Sequence, residues 1–194
     1  EFGFNIGGNF TLVKNEFTKL PDGIDYIQLN DKRISVGRPL GYFYGFKTNG
    51  IYQTDAEVPT TEGYAGAKAG DLKFVDVNGD KKLSDDDRTF LGSPIAKFFY
   101  GMTLGVNYKF FDLSILLQGV GNNTVNNGPR AGLESMNGGD NQSITILDRW
   151  TPTNKSNTIP RANSGYNTNN GFTDRFLENA AYLRIKNLQL GYNM

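Results

Sequence analysis

Residues 98–118 alternate between apolar side chains and small or polar ones along two consecutive runs. The apolar positions are Phe98, Tyr100, Met102, Leu104, Val106 and Tyr108 in the first run, then Phe111, Leu113, Ile115 and Leu117 in the second. Because successive side chains of a strand point to opposite faces, each run predicts a strand with one apolar face. A turn at Lys109 and Phe110 places Tyr108 opposite Phe111, so both apolar rows share one face of an antiparallel hairpin.

This hairpin fits either a membrane-spanning β-barrel or a soluble β-sandwich, because strands alternate in both. The first run has about the 9–11 residues that a tilted strand needs to cross a bilayer, and aromatic residues stand at both of its ends. The other face of the hairpin carries mostly Gly, Asn, Thr, Ser and Gln. Small and polar residues are typical of a barrel lumen, whereas a sandwich usually exposes Lys, Glu and Thr.

The same alternation recurs near both ends of the chain. Residues 2–12 carry Phe, Ile and Leu at most even positions, and residues 182–192 predict a last strand. The apolar positions of that last strand change parity between Ile185 and Leu188. A change of parity indicates one extra residue in the strand, so we predict a β-bulge near Lys186 and Asn187.

One shorter strand is predicted at 24–29 and one or two within 40–53, which with the four long strands gives six or seven in all; 33–36 is a weaker candidate. A barrel that encloses a ligand needs eight or more strands, so we expect the chain to be a piece of a larger barrel. The polar stretch 119–174 predicts a long loop. Since such barrels have short periplasmic turns and long extracellular loops, the turn at Lys109 is expected to be periplasmic and 119–174 extracellular.

Composition excludes several kinds of chemistry. The 20 basic and 20 acidic side chains balance, which gives no sign of a nucleic-acid partner, and the chain has neither His nor Cys. Ser-His-Asp triads, Cys-His pairs, imidazole or thiolate metal ligands and disulfides are therefore excluded. Carboxylates alone can hydrolyse glycosides, but the adjacent Asp85, Asp86 and Asp87 do not point at one bond. We predict that the chain is not an enzyme.

One segment, 76–87, has the ligand spacing of an EF-hand calcium loop. The predicted ligands at loop positions 1, 3, 5, 7, 9 and 12 are Asp76, Asn78, Asp80, Lys82, Ser84 and Asp87. Calcium takes about six to eight oxygen atoms, and a tight loop can bring alternate side chains and the Lys82 carbonyl to one point. The alternative is a surface turn, rich in Asp, Asn and Gly, that holds no ion.

Two residues depart from the EF-hand pattern and lower the expected calcium affinity. Position 6 is Lys81 where Gly is usual, and a non-glycine residue at positive φ costs on the order of 1 kcal/mol. Position 12 is Asp87, which is shorter than the usual Glu. Strand-like residues precede position 76, so we predict a calcium loop grafted on a β-protein rather than a helix–loop–helix.

Taken together, the sequence resembles the SusC/RagA family of TonB-linked outer-membrane transporters of Bacteroidota. The matching stretches, in the family's order and spacing, are residues 41–53, 69–80, 87–94, 100–101, 111–114, 117–119, 149–152, 159–161 and 182–188. The clearest departure is Lys81, which stands where the family usually has glycine. The combination covers nearly the whole chain and is more specific than any of its parts.

The resemblance implies a fold and a role. The fold class is all-β: part of a large transmembrane antiparallel β-barrel with long extracellular loops, in a chain that lacks the plug, the TonB-contacting segment and the final strands. Such transporters sit in the outer membrane and import oligosaccharides or peptides, with energy relayed by TonB through the plug. The implied partners are the rest of the transporter, a SusD-like surface lipoprotein, the substrate and membrane lipid, with no nucleic acid.

Two questions stay open at this point. A secreted, calcium-dependent, carbohydrate-binding β-sandwich is the alternative function, and it requires the apolar rows to meet in a buried core. Within the long loop, Arg149, Trp150 and Arg161 either dock the lipoprotein or line the substrate cavity, or they pack the loop on itself. We favour packing for any one of these residues.

Overall fold

The computed structural model describes residues 2–136, 141–163 and 172–193. It contains twelve strands in these ranges: β1 (Phe2–Leu12), β2 (Tyr26–Leu29), β3 (Lys32–Ser35), β4 (Tyr42–Phe46), β5 (Thr48–Ile51), β6 (Leu72–Phe74), β7 (Arg88–Gly92), β8 (Phe98–Tyr108), β9 (Phe111–Gly121), β10 (Thr124–Asn126), β11 (Leu177–Asn179) and β12 (Tyr182–Tyr192). One short helix, α1, spans Gly128–Leu133. No helix among the described residues is long and apolar enough to cross a membrane.

Four strands of 11 residues each, β1, β8, β9 and β12, form one antiparallel sheet in the order β1-β8-β9-β12. The predicted register of the central hairpin is confirmed, with Tyr108 opposite Phe111 and Val106 opposite Leu113. The second strand of this hairpin continues to Gly121, three residues beyond the predicted limit at 118. Within the described residues, β1 and β12 are edge strands of this sheet.

One face of the four-stranded sheet is apolar from end to end. Cross-strand neighbours on this face form continuous rows, such as Ile6–Leu104–Ile115–Leu188 at mid-height. The row beside the tight turn is aromatic throughout: Phe2, Tyr108, Phe111 and Tyr192. At the other end Phe10 stacks on Phe98, with ring centroids 5.8 Å apart. The apolar face therefore has an aromatic border at each end, as membrane-spanning barrels do.

This apolar face is open to its surroundings rather than packed against another layer. Leu12 is 72% exposed and Leu190 is 73% exposed, and their neighbours on the two edge strands are similar. From Phe2 to Leu12 the face extends about 34 Å along the strand, or about 26 Å at a tilt near 40°. That height matches the apolar band of about 25 Å on outer-membrane barrels.

The β-bulge in β12 is confirmed. The register against β9 shifts between Ile185 and Asn187, which leaves Lys186 as the extra residue. Its physical role follows from parity: Leu183 and Ile185 precede the bulge at odd positions, and Leu188 and Leu190 follow it at even positions. Because the bulge absorbs one residue, all of these leucine and isoleucine side chains stay on the apolar face.

All long connections leave the sheet at the same end. Residues 13–97 join β1 to β8 at the Leu12–Phe98 pair, and 122–181 join β9 to β12. At the opposite end β8 and β9 are joined by the two-residue turn at Lys109, whose φ of 52° lies in the left-handed region. Parts of the predicted long loop, 137–140 and 164–171, lie outside the described residues.

The connections fold into small elements of their own, which accounts for the difference between six or seven predicted strands and the larger number observed. The sheets are β2-β3-β4-β7, β5-β6 and β10-β11. A buried apolar cluster of Ile51, Leu72, Phe74 and Trp150 lies here rather than under the large sheet. We call the segments 42–76 and 149–161, which surround this cluster, the outer-loop core.

Candidate functional site

The large sheet separates two chemically different faces, and this separation is the first functional feature. Opposite the apolar rows, each strand presents small or polar side chains, such as the cross-strand row Asn5–Gly105–Ser114–Gln189. Glycines let neighbours on this face approach closely: a Cβ at Gly105 would collide with the side chain of Asn5. The sheet therefore has one face suited to lipid and one suited to a polar interior.

The second feature is the predicted calcium loop, whose acidic side chains are bound by the loop's own backbone. Asp76 accepts hydrogen bonds from Gly79 N at 2.7 Å and Lys81 N at 2.8 Å. Asp87 is fully buried and accepts from Val77 N and Ser84 N, both at 2.9 Å. Asp87 thereby joins the two ends of the loop, and its position is fixed by backbone donors rather than by an ion pair.

The remaining predicted ligands have different local roles. Asp80 Oδ1 accepts from Lys82 N at 2.8 Å, and Asn78 Oδ1 accepts from Asp80 N at 3.0 Å. Ser84 begins the 3-10 turn Asp85–Asp87 and accepts from Asp86 N at 3.2 Å, in a reciprocal capping box with Asp87. The loop follows β6 and ends in this turn, so it is not flanked by two helices.

The backbone of the loop adopts the turn that the EF-hand pattern demands at position 6. Lys81 has φ of 65°, in the left-handed region, and Gly79 has φ of 80°. Neighbouring residues hold this turn: the Thr61 hydroxyl donates to the Lys81 carbonyl, and Leu83 N donates to Glu62 O at 3.1 Å. The strain at Lys81 is thus balanced by contacts from outside the loop.

The donor set suits a hard cation, although the side chains do not converge on one point. In the part of the chain that the structure describes, no group of three or more acidic, His or Cys side chains is arranged to hold a metal ion. Burial raises the pKa of the nearby Tyr64, and the charges of Asp87, Asp76 and Asp80 raise it further. The loop therefore exerts a negative potential on its neighbours. The calcium site stays a prediction.

The third feature is a buried ion pair at the centre of the outer-loop core. Arg161 Nε donates to Asp71 Oδ1 at 2.9 Å and its Nη2 donates to Asp71 Oδ2 at 3.1 Å. Asp71 is 0% exposed, and the Arg161 backbone N donates to Gly70 O at 2.8 Å. A Cβ at Gly70 would collide with the indole of Trp150, so this close approach requires glycine.

This arrangement answers the question about Trp150 and Arg161 in favour of packing. Trp150 is 7% exposed and its Nε1 donates to Gln53 Oε1 at 3.1 Å. Arg161 is occupied by Asp71, and Arg149 donates to its own 3-10 turn at Ile146 O at 3.3 Å. Trp150 and Arg161 therefore pack within the outer-loop core.

Sequence reasoning missed a second ionic cluster, which ties α1 to the segment before β11. Glu134 is 5% exposed and binds Arg130 and Arg175, each at 3.0 Å, while Arg130 also reaches Glu178 at 3.1 Å. Burial lowers the pKa of Arg175, against the opposing effect of Glu134. The i,i+4 spacing of Arg130 and Glu134 was the one local signal, because the partners at 175 and 178 are distant in sequence.

A sheet with one apolar, aromatic-bordered face, one polar face and all of its long loops at one end defines a class: the wall and outer loops of an outer-membrane β-barrel. No protein-family model matches the chain. The chain is 30% identical over 205 residues to TonB-dependent receptor P3 of Formosa agariphila, covering 100% of the chain and 20% of that receptor. It is 29% identical over 201 residues to TonB-dependent receptor SusC of Bacteroides thetaiotaomicron, covering 100% of the chain and 19% of SusC.

Solved structures agree with these relatives. The structure of the RagAB peptide transporter superposes with a TM-score of 0.75 at 26% identity, over 98% of this chain and 20% of that one. Over its whole length, the chain is similar to one segment of the TonB-dependent receptors of the SusC/RagA type. It spans about a fifth of the length of the relatives it matches. The predicted family and the all-β, partial-barrel fold class are confirmed.

The alternative function does not fit this fold. A carbohydrate-binding β-sandwich requires the apolar rows of the large sheet to meet in a core, but Phe4 is 70% exposed and Leu190 is 73% exposed. The relatives are described as receptors and as a peptide transporter rather than as enzymes.

Proposed function

We propose that this chain forms wall and outer loops of an outer-membrane, TonB-dependent importer of oligosaccharides or peptides. The single observation that carries the proposal is the division of the large sheet into an apolar face about 26 Å high and a polar face. The wall separates lipid from a polar interior, and the loops at one end reach the medium where substrates arrive. The similarity to SusC and to the RagAB peptide transporter supports the same role.

The same similarity supports two partners for the full-length receptor. We infer that a SusD-like surface lipoprotein meets the outer loops, and that TonB acts through a plug region that belongs to the rest of the transporter. The polar row that includes Ser114 and Gln189 would face that plug or the substrate. Catalytic groups are not required for this role, because the chain contributes shape, polarity and loops rather than a chemical step.

Orientation can be tested by cysteine labelling in the full-length receptor, because this chain contributes no Cys of its own. A cysteine at Thr153, in an exposed loop, should react with a membrane-impermeant maleimide on intact cells. A cysteine at Lys109, in the tight turn, should react only after the outer membrane is permeabilised. Labelling of Lys109→Cys on intact cells, or protection of Thr153→Cys, would contradict the orientation.

Substrate class can be tested by uptake. Cells that depend on the full-length receptor are supplied with fluorescent peptides or with fluorescent oligosaccharides, and accumulation is compared with a strain that lacks the receptor and a strain that lacks TonB. We expect accumulation of one of the two classes to require both proteins. Equal accumulation of both classes in all three strains would refute the import role.

We also propose that loop 76–87 binds a calcium ion. Support comes from the EF-hand spacing and from the left-handed backbone at Lys81, with φ of 65°. The ligands would be the side chains of Asp76, Asn78, Asp80, Ser84 and Asp87 with the carbonyl of Lys82. Bound calcium would neutralise the loop's acidic side chains and stiffen the loop beside the outer-loop core.

Calorimetric titration of calcium into the full-length receptor tests this site. Asp76→Ala should abolish one binding event, whereas Asp25→Ala, an exposed carboxylate outside the loop, should leave it intact. Lys81→Gly relieves roughly 1 kcal/mol of backbone strain in the fold itself, so it should stabilise the loop and leave this binding event in place. Identical titrations for the Asp76→Ala variant and the wild type would eliminate the site.

A further inference from the structure

A recess of about 600 Å³ lies beyond the outer end of β1 and β8. Its lining combines apolar and basic side chains, namely Leu12, Lys14, Arg38, Phe90, Ala96 and Lys97. Leu12 belongs to the exposed apolar face of the large sheet and is 72% exposed. The recess is therefore continuous with the face that the proposed function assigns to lipid.

The height of the recess coincides with the limit of the apolar face. Leu12 and Phe98 form the outermost pair of β1 and β8. The ladder continues one step further, where Val13 N donates to Lys97 O at 2.8 Å. Lys14 lies two residues beyond Leu12, about 7 Å along the strand. In a barrel whose apolar face occupies the hydrocarbon layer, these basic residues lie at the level of the lipid headgroups.

The charge of the recess is positive. Its one acidic side chain, Glu16, pairs with Lys14 at 3.0 Å. Among the described residues, neither Arg38 nor Lys97 has an ion-pair partner, and both are exposed. The Arg38 guanidinium lies over the ring of Phe90, with its Cζ 5.4 Å from the ring centroid. Two cations without carboxylate partners, beside an apolar surface, complement an amphiphile with an anionic head.

We propose that this recess binds the anionic headgroup of an outer-leaflet lipid, with the acyl chains lying on the apolar face below Leu12. Arg38 and Lys97 supply the charge, and Leu12 marks the boundary between head and chains. The inference rests on the proposed function, because it requires the apolar face to lie in the bilayer. It adds a lipid site that fixes the height of the wall at the outer surface.

The test uses the full-length receptor in neutral detergent, with lipid binding followed by native mass spectrometry. Phosphatidylglycerol is the anionic probe, phosphatidylcholine with the same chains is the neutral probe, and inorganic phosphate is the competitor. Arg38→Gln combined with Lys97→Gln should weaken phosphatidylglycerol binding about 30-fold and leave phosphatidylcholine binding unchanged. Arg38→Lys with Lys97→Arg keeps both charges and should retain the wild-type affinity. Lys19→Gln with Lys68→Gln removes two exposed charges outside the recess and should match the wild type.

Three results would overturn the proposal: wild-type affinity in the double glutamine variant, an equal loss for both lipids, or complete displacement of phosphatidylglycerol by equimolar phosphate. The last result would indicate a site for a free anion rather than for a lipid. A gel-mobility assay on unheated samples establishes whether each variant is folded. If the double glutamine variant does not fold, Lys97→Gln alone replaces it, with a smaller expected loss of phosphatidylglycerol affinity. If cysteine labelling supports the orientation and no lipid preference is found, this inference fails while the proposed function stands.

Discussion

Adjacent residues in the middle of β9 provide the sharpest test of the sheet's two faces. Ile115 lies on the apolar face between Leu104 and Leu188, whereas Ser114 lies on the polar face between Gly105 and Gln189. The two positions share a strand and a height, so they differ only in the medium that they contact. Replacing each by arginine therefore compares lipid with lumen directly.

The expected loss of stability at each position follows from its depth within the apolar band. Ile115 is four residues from the aromatic row at Phe111, which is about 14 Å along the strand and about 10 Å above that border at a tilt near 40°. This is near the middle of the apolar band, where arginine costs about 2–4 kcal/mol. Ser114→Arg places its charge among small and polar groups and should cost less than about 1 kcal/mol. Leu12→Arg, at the border, should cost about 0–1 kcal/mol.

The assay is equilibrium urea unfolding of the full-length receptor in phospholipid vesicles, followed by gel mobility of unheated samples. We expect the largest loss in the free energy of unfolding for Ile115→Arg, and small losses for both Ser114→Arg and Leu12→Arg. Equal losses at 114 and 115, or a larger loss at 114, would refute the assignment of the faces.

Three further outcomes are expected. Deleting Lys186 removes the bulge but keeps every apolar side chain of β12 on the apolar face, so the receptor should still assemble. Deleting Gln189 moves the residues that follow it to the opposite face and should prevent folding, which is seen as loss of the mobility shift between unheated and heated samples. Arg161→Leu removes the guanidinium that pairs with the buried Asp71 carboxylate and should lower the stability of the outer-loop core by about 3–5 kcal/mol, measured by hydrogen exchange at its amides. Burial, with the charges of Tyr64 and Glu57, raises the pKa of Tyr52 to about 12. The contribution of Tyr52 to stability should therefore be constant below pH 10 and be lost between pH 10 and 12, because the unfolded state loses its proton first. Ultraviolet titration of Tyr52→Phe against the wild type measures this pKa, and a normal tyrosine titration would contradict the buried environment.

The large sheet could be predicted from the sequence because the features that determine it are local. Alternation fixes the face of each residue, a two-residue turn fixes the register, and the parity change at Ile185 and Leu188 locates the bulge. The outer-loop core was less accessible, because its ion pair joins Asp71 to Arg161 across 90 positions. Short strands such as β10 depend on pairing with a distant segment, here β11, and nothing in their own composition predicts them.

The candidate calcium loop was likewise only partly predictable from the sequence. The turn at Lys81 was predicted from spacing, since a left-handed residue at that position is a local requirement of the loop. The contacts that hold this turn, from Thr61 and Glu62, come from a segment with no recognisable pattern. Likewise the basic recess could not be derived from sequence, because Arg38 and Lys97 are distant in the chain. They line the same recess only because of how the segment between β1 and β8 folds.

The junction at Leu12 and Phe98 has a consequence for how such receptors diversify. Everything from residue 13 to 97 leaves and returns on one strand pair, so its length and composition can change without altering the register of the sheet beneath it. Insertions there add little loop-closure entropy, since that cost grows only with the logarithm of length. The four-stranded sheet can therefore stay unchanged while the whole segment between β1 and β8 is exchanged, by evolution or by design. The part that inserts into the membrane does not have to be redesigned.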